Sequence, residues 1–164
     1  MEEIINVIPK KGFGNLNFGM SFNEANSILK EEGILNLDYK DGRKYYDYKN
    51  GSLSLLFRDK YGLIVISIEN DCDQNNIYIW DYLLFSLTEK SLINIIKEKK
   101  LTFYRDDSQD LFGDFFTIEV IYEGLSFTFD NNTIVSLDIH DCSDSLIIEQ
   151  IKTQIQHFEK NKNL

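Results

Sequence analysis

Residues 16–34 read LNFGMSFNEANSILKEEGI, and residues 84–101 read LFSLTEKSLINIIKEKKL. Each begins with a short apolar run ending in Phe (Phe18, Phe85), continues through a Ser-x-x-Glu step (Ser21 to Glu24, Ser86 to Glu89) and runs into an apolar stripe at helical spacing. A Ser followed three residues later by Glu is the signature of a reciprocal N-terminal helix cap. In the first copy Ala25, Ile28 and Leu29 fall on one face, with Gly33 as the stop signal; in the second, Leu92, Ile95 and Ile96 do so, over a helix from about residue 87 to 100.

Strand signals follow each helix. After the first come a loose alternation over 34–39, an Asp41-Gly42 turn, the aromatic run 44–48, an Asn50-Gly51 turn, then 53–57 and 63–68. After the second come 101–105, an acidic loop over 106–114, a strand at 115–122, and two further strands. LSLLF (53–57) returns as LSFTF (125–129), 72 residues on, and LIVISI (63–68) returns as IVSLDI (134–139), 71 on. The helical words lie 67 apart, so the offset drifts as loop insertions require. Duplicated blocks in the same order read as a tandem repeat. The expected fold is therefore α+β: two tandem units, each a helix packed on an antiparallel four-stranded sheet, plus a C-terminal helix. The boundaries fall at 12–70 and 77–140, with the helix at 143–160 on an open end of the core; the alternative is one continuous domain. Residues 4–8 read as an edge strand or an arm.

The entry Gly14, Leu16, Phe18, Gly19, Met20, Ser21, Glu24 followed by strands resembles the β-lactamase-inhibitor-protein-like fold, whose small relatives include the SmpA type of outer-membrane assembly lipoprotein. The resemblance covers 12–140 as a pattern. It implies paired units whose sheets join into one surface that holds a target protein. The chain lacks the secreted inhibitor's leader and its cysteine pair within each unit, which points away from a β-lactamase target.

Composition narrows the function. The chain has 164 residues, 43% of them hydrophobic, with twelve Phe, nine Tyr and a net charge of -10. That charge disfavours nucleic acid and anionic membrane as partners and suits a basic protein. The acidic N-terminal stretch and the absence of a long apolar run read as a cytoplasmic protein. Residues 81–164 carry 15 acids against 8 bases, so most of the excess lies in the second half.

No sequence motif announces a reaction. His140-Asp141-Cys142 brings a thiol and an imidazole close in sequence, without a Gly-rich turn beside them. The segment from Asp71 starts like a calcium loop but has Asn76 and Tyr82 where Gly and Glu are needed. The two histidines, His140 and His157, fall on different elements, and Cys72 and Cys142 make no metal cluster. No cofactor or metal is expected, and no catalytic residue.

Strand alternation sends Leu53, Leu55, Phe57 and Leu125, Phe127, Phe129 toward the helices. It leaves Ser54, Leu56, Val65, Ser67, Ser126, Thr128, Ser136 and Asp138 on an open opposite face. Aromatic anchors with an acidic rim are the expected protein-binding surface. The residues assigned to it are Tyr46, Tyr48, Glu69, Trp80, Asp106, Asp107, Asp110, Asp114, Glu119, Asp138 and His140. The expected function is a non-enzymatic inhibitor: a bacterial immunity protein, of the contact-dependent-inhibition type, that neutralises a basic, nuclease-type toxin. The alternative is a structural or assembly module of the SmpA-like kind.

Overall fold

The computed structural model describes residues 4–70, 76–108 and 114–161. Strands dominate. They are β1 (Ile5–Ile8), β2 (Gly12–Phe13), β3 (Leu16–Asn17), β4 (Ile34–Asp38), β5 (Arg43–Tyr48), β6 (Leu53–Arg58), β7 (Gly62–Glu69), β8 (Ile77–Ile79), β9 (Tyr82–Leu83), β10 (Phe103–Asp106), β11 (Phe115–Val120), β12 (Leu125–Asp130) and β13 (Thr133–His140). Three α-helices accompany them: α1 (Phe22–Leu29), α2 (Glu89–Glu98) and α3 (Ser145–Asn161).

The architecture corrects the expectation of two helix-on-four-strand units. β4 to β7 and β10 to β13 do not stand as separate sheets. They form one eight-stranded sheet in the order β10-β11-β12-β13-β7-β6-β5-β4, antiparallel throughout. β7 and β13 join it, with Val65, Ser67 and Glu69 opposite His140, Asp138 and Ser136. Left unpaired, these central strands would bury a row of backbone polar groups without partners. A second, five-stranded sheet, β3-β2-β1-β8-β9, is built from segments of two to four residues. Its β1–β8 pair is parallel, so each residue faces the one 72 positions on: Ile5 opposite Ile77, Asn6 opposite Tyr78, Val7 opposite Ile79.

The two arms of the large sheet share fine detail. Both pairs of long strands carry a register shift at the same place, between Leu56 and Phe57 and between Thr128 and Phe129. The extra residues are Ile64 and Val135. Their carbonyls accept from Asp141 N (2.8 Å) and Asn70 N (2.7 Å), each donor lying at the end of the other arm. The bulges thus extend the central seam at both ends.

One apolar core fills the space beneath the sheet. It contains Leu53, Leu55, Ile66, Ile68, Leu92, Ile96, Ile118, Val120, Phe127, Phe129, Leu137 and Ile139, with Ala25 from α1. Ser21 caps α1 as expected, its amide donating to Glu24 Oε2 (2.8 Å) while Glu24 N donates back to its hydroxyl (3.3 Å). Such a cap contributes about 1 kcal/mol. In the second copy the cap is Thr88 with Ser91, and Leu84–Ser86 forms a 3-10 turn in place of the Ser86–Glu89 cap. Gly33 is no helix stop, since α1 ends with Lys30 in the left-handed region at φ 55°. A side chain at Gly33 would run into the ring of Tyr48.

The placement of α3 is a second correction. It lies across the face of the large sheet opposite α1 and α2, not over an end of the core. Ile147 packs on Ile64 and Val65, with Leu56 and Ile151 around them. Asp144, 4% exposed, locks the start of this helix. It accepts from Leu146 N (2.8 Å) and from the Arg58 guanidinium of β6 (2.8 Å).

Candidate functional site

The sheet face beneath α3 carries a polar row that crosses six strands. Adjacent positions are Glu119, Ser126, Asp138, Ser67, Ser54 and Asp47. Its two ends match. Ser126 Oγ donates to Glu119 Oε1 at 2.7 Å, and Ser54 Oγ donates to Asp47 Oδ1 at 2.8 Å. The Asp47 end is also bound from the edge strand, where Asn36 Nδ2 donates to Asp47 Oδ2 at 2.7 Å. Tyr45 lies over the middle of the row and donates its hydroxyl to Ser67 Oγ at 2.8 Å. Burial raises the Tyr45 pKa above the usual phenol range, so this group stays a donor.

At the Glu119 end a cleft of about 330 Å³ opens between α3 and the sheet. Its floor includes Thr117, Glu119, Ser126, Thr128, Asp138 and His140, and Asp106 borders it. From α3, Ile147, Gln150, Ile151 and Gln154 close the other side. Three carboxylates converge here, and no Lys or Arg is among the lining residues. Burial is the main cause that pushes the Glu119 carboxyl up to about 7 from its ordinary 4.5; Asp138 and Asp106 push it the same way, and the Ser126 hydrogen bond opposes them. The His140 pKa falls below its ordinary 6.5 because burial disfavours the imidazolium, although Asp138 opposes the fall. Near neutral pH the cleft therefore holds a neutral imidazole and one carboxyl poised to lose its proton, with Asp106 and Asp138 beside them. A cation entering it would replace solvation that Glu119 lacks.

The space has a structural origin. Tyr45 opposite Leu56 in the first arm corresponds to Thr117 opposite Thr128 in the second. Leu56 likewise faces Val65, whereas Thr128 faces Ser136. Large side chains seat α3 on the first arm, and small ones leave room beneath it on the second.

Four of the sequence-assigned residues meet at this cleft: Asp106, Glu119, Asp138 and His140. Asp106 ends β10 and does not belong to a loop. The others lie elsewhere. Tyr48 is 1% exposed, with its hydroxyl donating to Asn26 Oδ1 at 2.6 Å, so it is no surface anchor. Tyr46 also faces the helix side, its ring 4.2 Å from that of Phe22. Trp80 is half-buried against Phe127, with Lys99 Nζ 5.8 Å from its ring centre. Asp107 is exposed and pairs with Arg105 Nε at 2.7 Å. Asp114 and Glu69 are exposed at strand ends and are not among the residues that line the cleft. Asp110 and Cys72 fall outside the described residues, as do 71–75 of the calcium-like stretch and the side chain of His157.

Sequence reasoning passed over Thr117, Gln150 and Gln154. The signal available was the Tyr45-to-Thr117 difference at the repeat offset of 72. The thiol of Cys142 donates to the His140 carbonyl (3.8 Å), and burial is the main cause raising its pKa. A raised thiol pKa is the opposite of what an activated nucleophile requires. The Ser126 hydroxyl is turned to Glu119, the bond that a Ser–His pair would need elsewhere. Among the described residues no cluster of three or more His, Cys, Asp or Glu has the disposition to hold a metal ion, and no helix is long and apolar enough to cross a membrane.

Compared with protein-family models, curated proteins and solved structures, the chain matches none.

Proposed function

We propose that the chain is a non-enzymatic inhibitor that binds a basic protein through the acidic arm of its sheet. In a bacterial setting this is an immunity protein that neutralises a basic, nuclease-type toxin in the cytoplasm. The observation that carries the reading is the cleft, with Asp106, Glu119 and Asp138 converging and no basic residue lining it. Its size is within the range of about 300–1,000 Å³ typical of ligand-sized sites, and is ample for one Lys or Arg side chain. The surrounding charge of -10 would speed the approach of a basic partner. An aliphatic stem would lie along Ile147 and Ile151, its cationic head against Glu119 and Asp138.

Capture with the tagged chain from lysate of its source, followed by calorimetry with the purified partner, tests this. One basic protein is expected at 1:1 stoichiometry, its affinity falling as salt rises and at least tenfold in Glu119→Gln/Asp138→Asn. Failure to retain a basic protein, or binding indifferent to both substitutions, would overturn the assignment and leave the assembly-module reading.

A further inference from the structure

α3 is held along one flank only. On the first arm it seats Ile147 and Ile151 on Leu56, Ile64 and Val65, a cluster separate from the main core. The repeat offsets of 72 and 71 put Thr128, Val135 and Ser136 at the matching places of the second arm, where the helix overhangs the cleft. The polar row beneath it is bonded within the sheet: Ser126 donates to Glu119, Ser54 and Asn36 to Asp47, and Tyr45 to Ser67. Among the described residues, the side-chain hydrogen bonds of α3 between Leu146 and Gln154 stay inside the helix, with Lys152 and Thr153 both meeting Glu149. The start of the helix is tied down instead. Asp141 N donates to Ile64 O at 2.8 Å, and Asp144 accepts from Arg58 at 2.8 Å.

We infer that α3 is a lid. The turn at 141–144 stays on the sheet as a hinge, and the helix from Leu146 onward lifts away as one unit and closes again while both sheets stay folded. The polar row tolerates the open state, because its groups keep their hydrogen-bond partners when water replaces the helix. The main core is not opened either, since the seat of α3 is a cluster of its own. A cation in the cleft would meet Glu119 and Asp138 on the floor and Ile147 and Ile151 above, and the second pair of contacts exists only in the closed state. It therefore binds the closed state better and shifts the lid toward it. This closing step rests on the inhibitor reading; the opening does not.

Native-state hydrogen exchange of the full chain tests the proposal, since a lone helix of this length is marginal in water and its amides exchange once it leaves the sheet. The amides of residues 149–155 are expected to exchange through an opening that leaves β7 and β13 protected, with protection about a hundredfold lower than in those strands. Leu56→Thr copies Thr128 of the second arm into the seat. It should lower α3 protection about tenfold and leave β7 and β13 unchanged, a split that general destabilisation cannot produce. An α3 that exchanges only together with β7 and β13, or a Leu56→Thr chain in which all three fall alike, would overturn the lid. A short arginine-rich peptide should raise α3 protection about tenfold in the wild-type chain. No rise would overturn closure on a cation and count against the inhibitor reading, while the exchange of the free chain would still decide the opening.

Discussion

The arm from β4 to β7 and the arm from β10 to β13 carry the same hydrogen-bonded pair and treat it differently. In the first, Asp47 accepts from Ser54 and from Asn36, and Tyr45 and Leu56 occupy the neighbouring positions. In the second, Glu119 accepts from Ser126 alone among the described residues, faces Asp138 and Asp106, and borders a cleft where Thr117 and Thr128 stand. The backbone frame and the bulge between the two long strands are common to both, and the first arm alone adds a register shift between Leu35 and Leu37. A cleft on such a frame is thus made by subtraction: small residues, one longer carboxylate, and a helix that seats on one arm and overhangs the other.

The largest expected effect comes from unseating that helix. Arg58→Ala removes one member of a buried pair and strands Asp144, whose side chain is 1% exposed. Breaking a pair of this kind costs about 3–5 kcal/mol. Urea denaturation should show that loss. Asp144→Asn retains the cap to Leu146 and should lose less.

Filling the cleft comes next. Thr117→Tyr places in the second arm what Tyr45 places in the first. Partner affinity is expected to fall at least tenfold by calorimetry, while the unfolding midpoint stays close to that of the wild type. Retained affinity would show that the cleft is not the contact.

Glu119 sharpens the comparison through pH. Its folded pKa, about 7, lies above its ordinary 4.5. The folded state therefore holds the proton more tightly than the unfolded state. The resulting stability is fully present below about pH 4.5 and is lost as pH rises through 7, by about 3 kcal/mol in total. Glu119→Gln should flatten this part of the pH profile and raise stability at pH 8, with Ser126 still donating to the amide oxygen. Partner binding should move the other way in the wild type, tightening from pH 6 to 8 as Glu119 ionises. Burial lowers the His140 pKa from its ordinary value, with Asp138 opposing, so its titration moves toward the acid side of this window.

The smallest effects separate the two matching hydroxyls. Ser126→Ala removes the hydrogen bond that Glu119 receives and should cost about 1 kcal/mol. Ser54→Ala should cost less, because Asn36 still donates to Asp47.

Much of the sheet was legible in the sequence, because alternation is a local property. Ser54 and Ser126 were assigned correctly to the face opposite Leu53 and Leu125, and Ser21 was found from its spacing to Glu24. The union of the arms was implied only by the resemblance, because nothing local in Val65 or His140 says which strand they meet. The parallel β1–β8 pair was hidden for a related reason: INVI and IYI are too short to show a period. The stripe of α3 showed that one face is apolar but not which surface it covers. At the site, Glu119, Asp138 and His140 were singled out by chemistry and brought together only by cross-strand register. Tyr46 and Tyr48 were misjudged because aromatic character outweighed parity. They alternate with Tyr45, and only Tyr45 shares the face of Ser54.

Carbon-13 NMR titration of the Glu119 carboxyl, with and without a short arginine-rich peptide, tests the central claim most directly. A midpoint near 7 that falls when the peptide is added, together with a carboxyl of Asp47 that the peptide leaves unmoved, is the predicted result. A Glu119 midpoint in the ordinary carboxylate range, or one that the peptide does not shift, would contradict a cation-receptive cleft in the second arm.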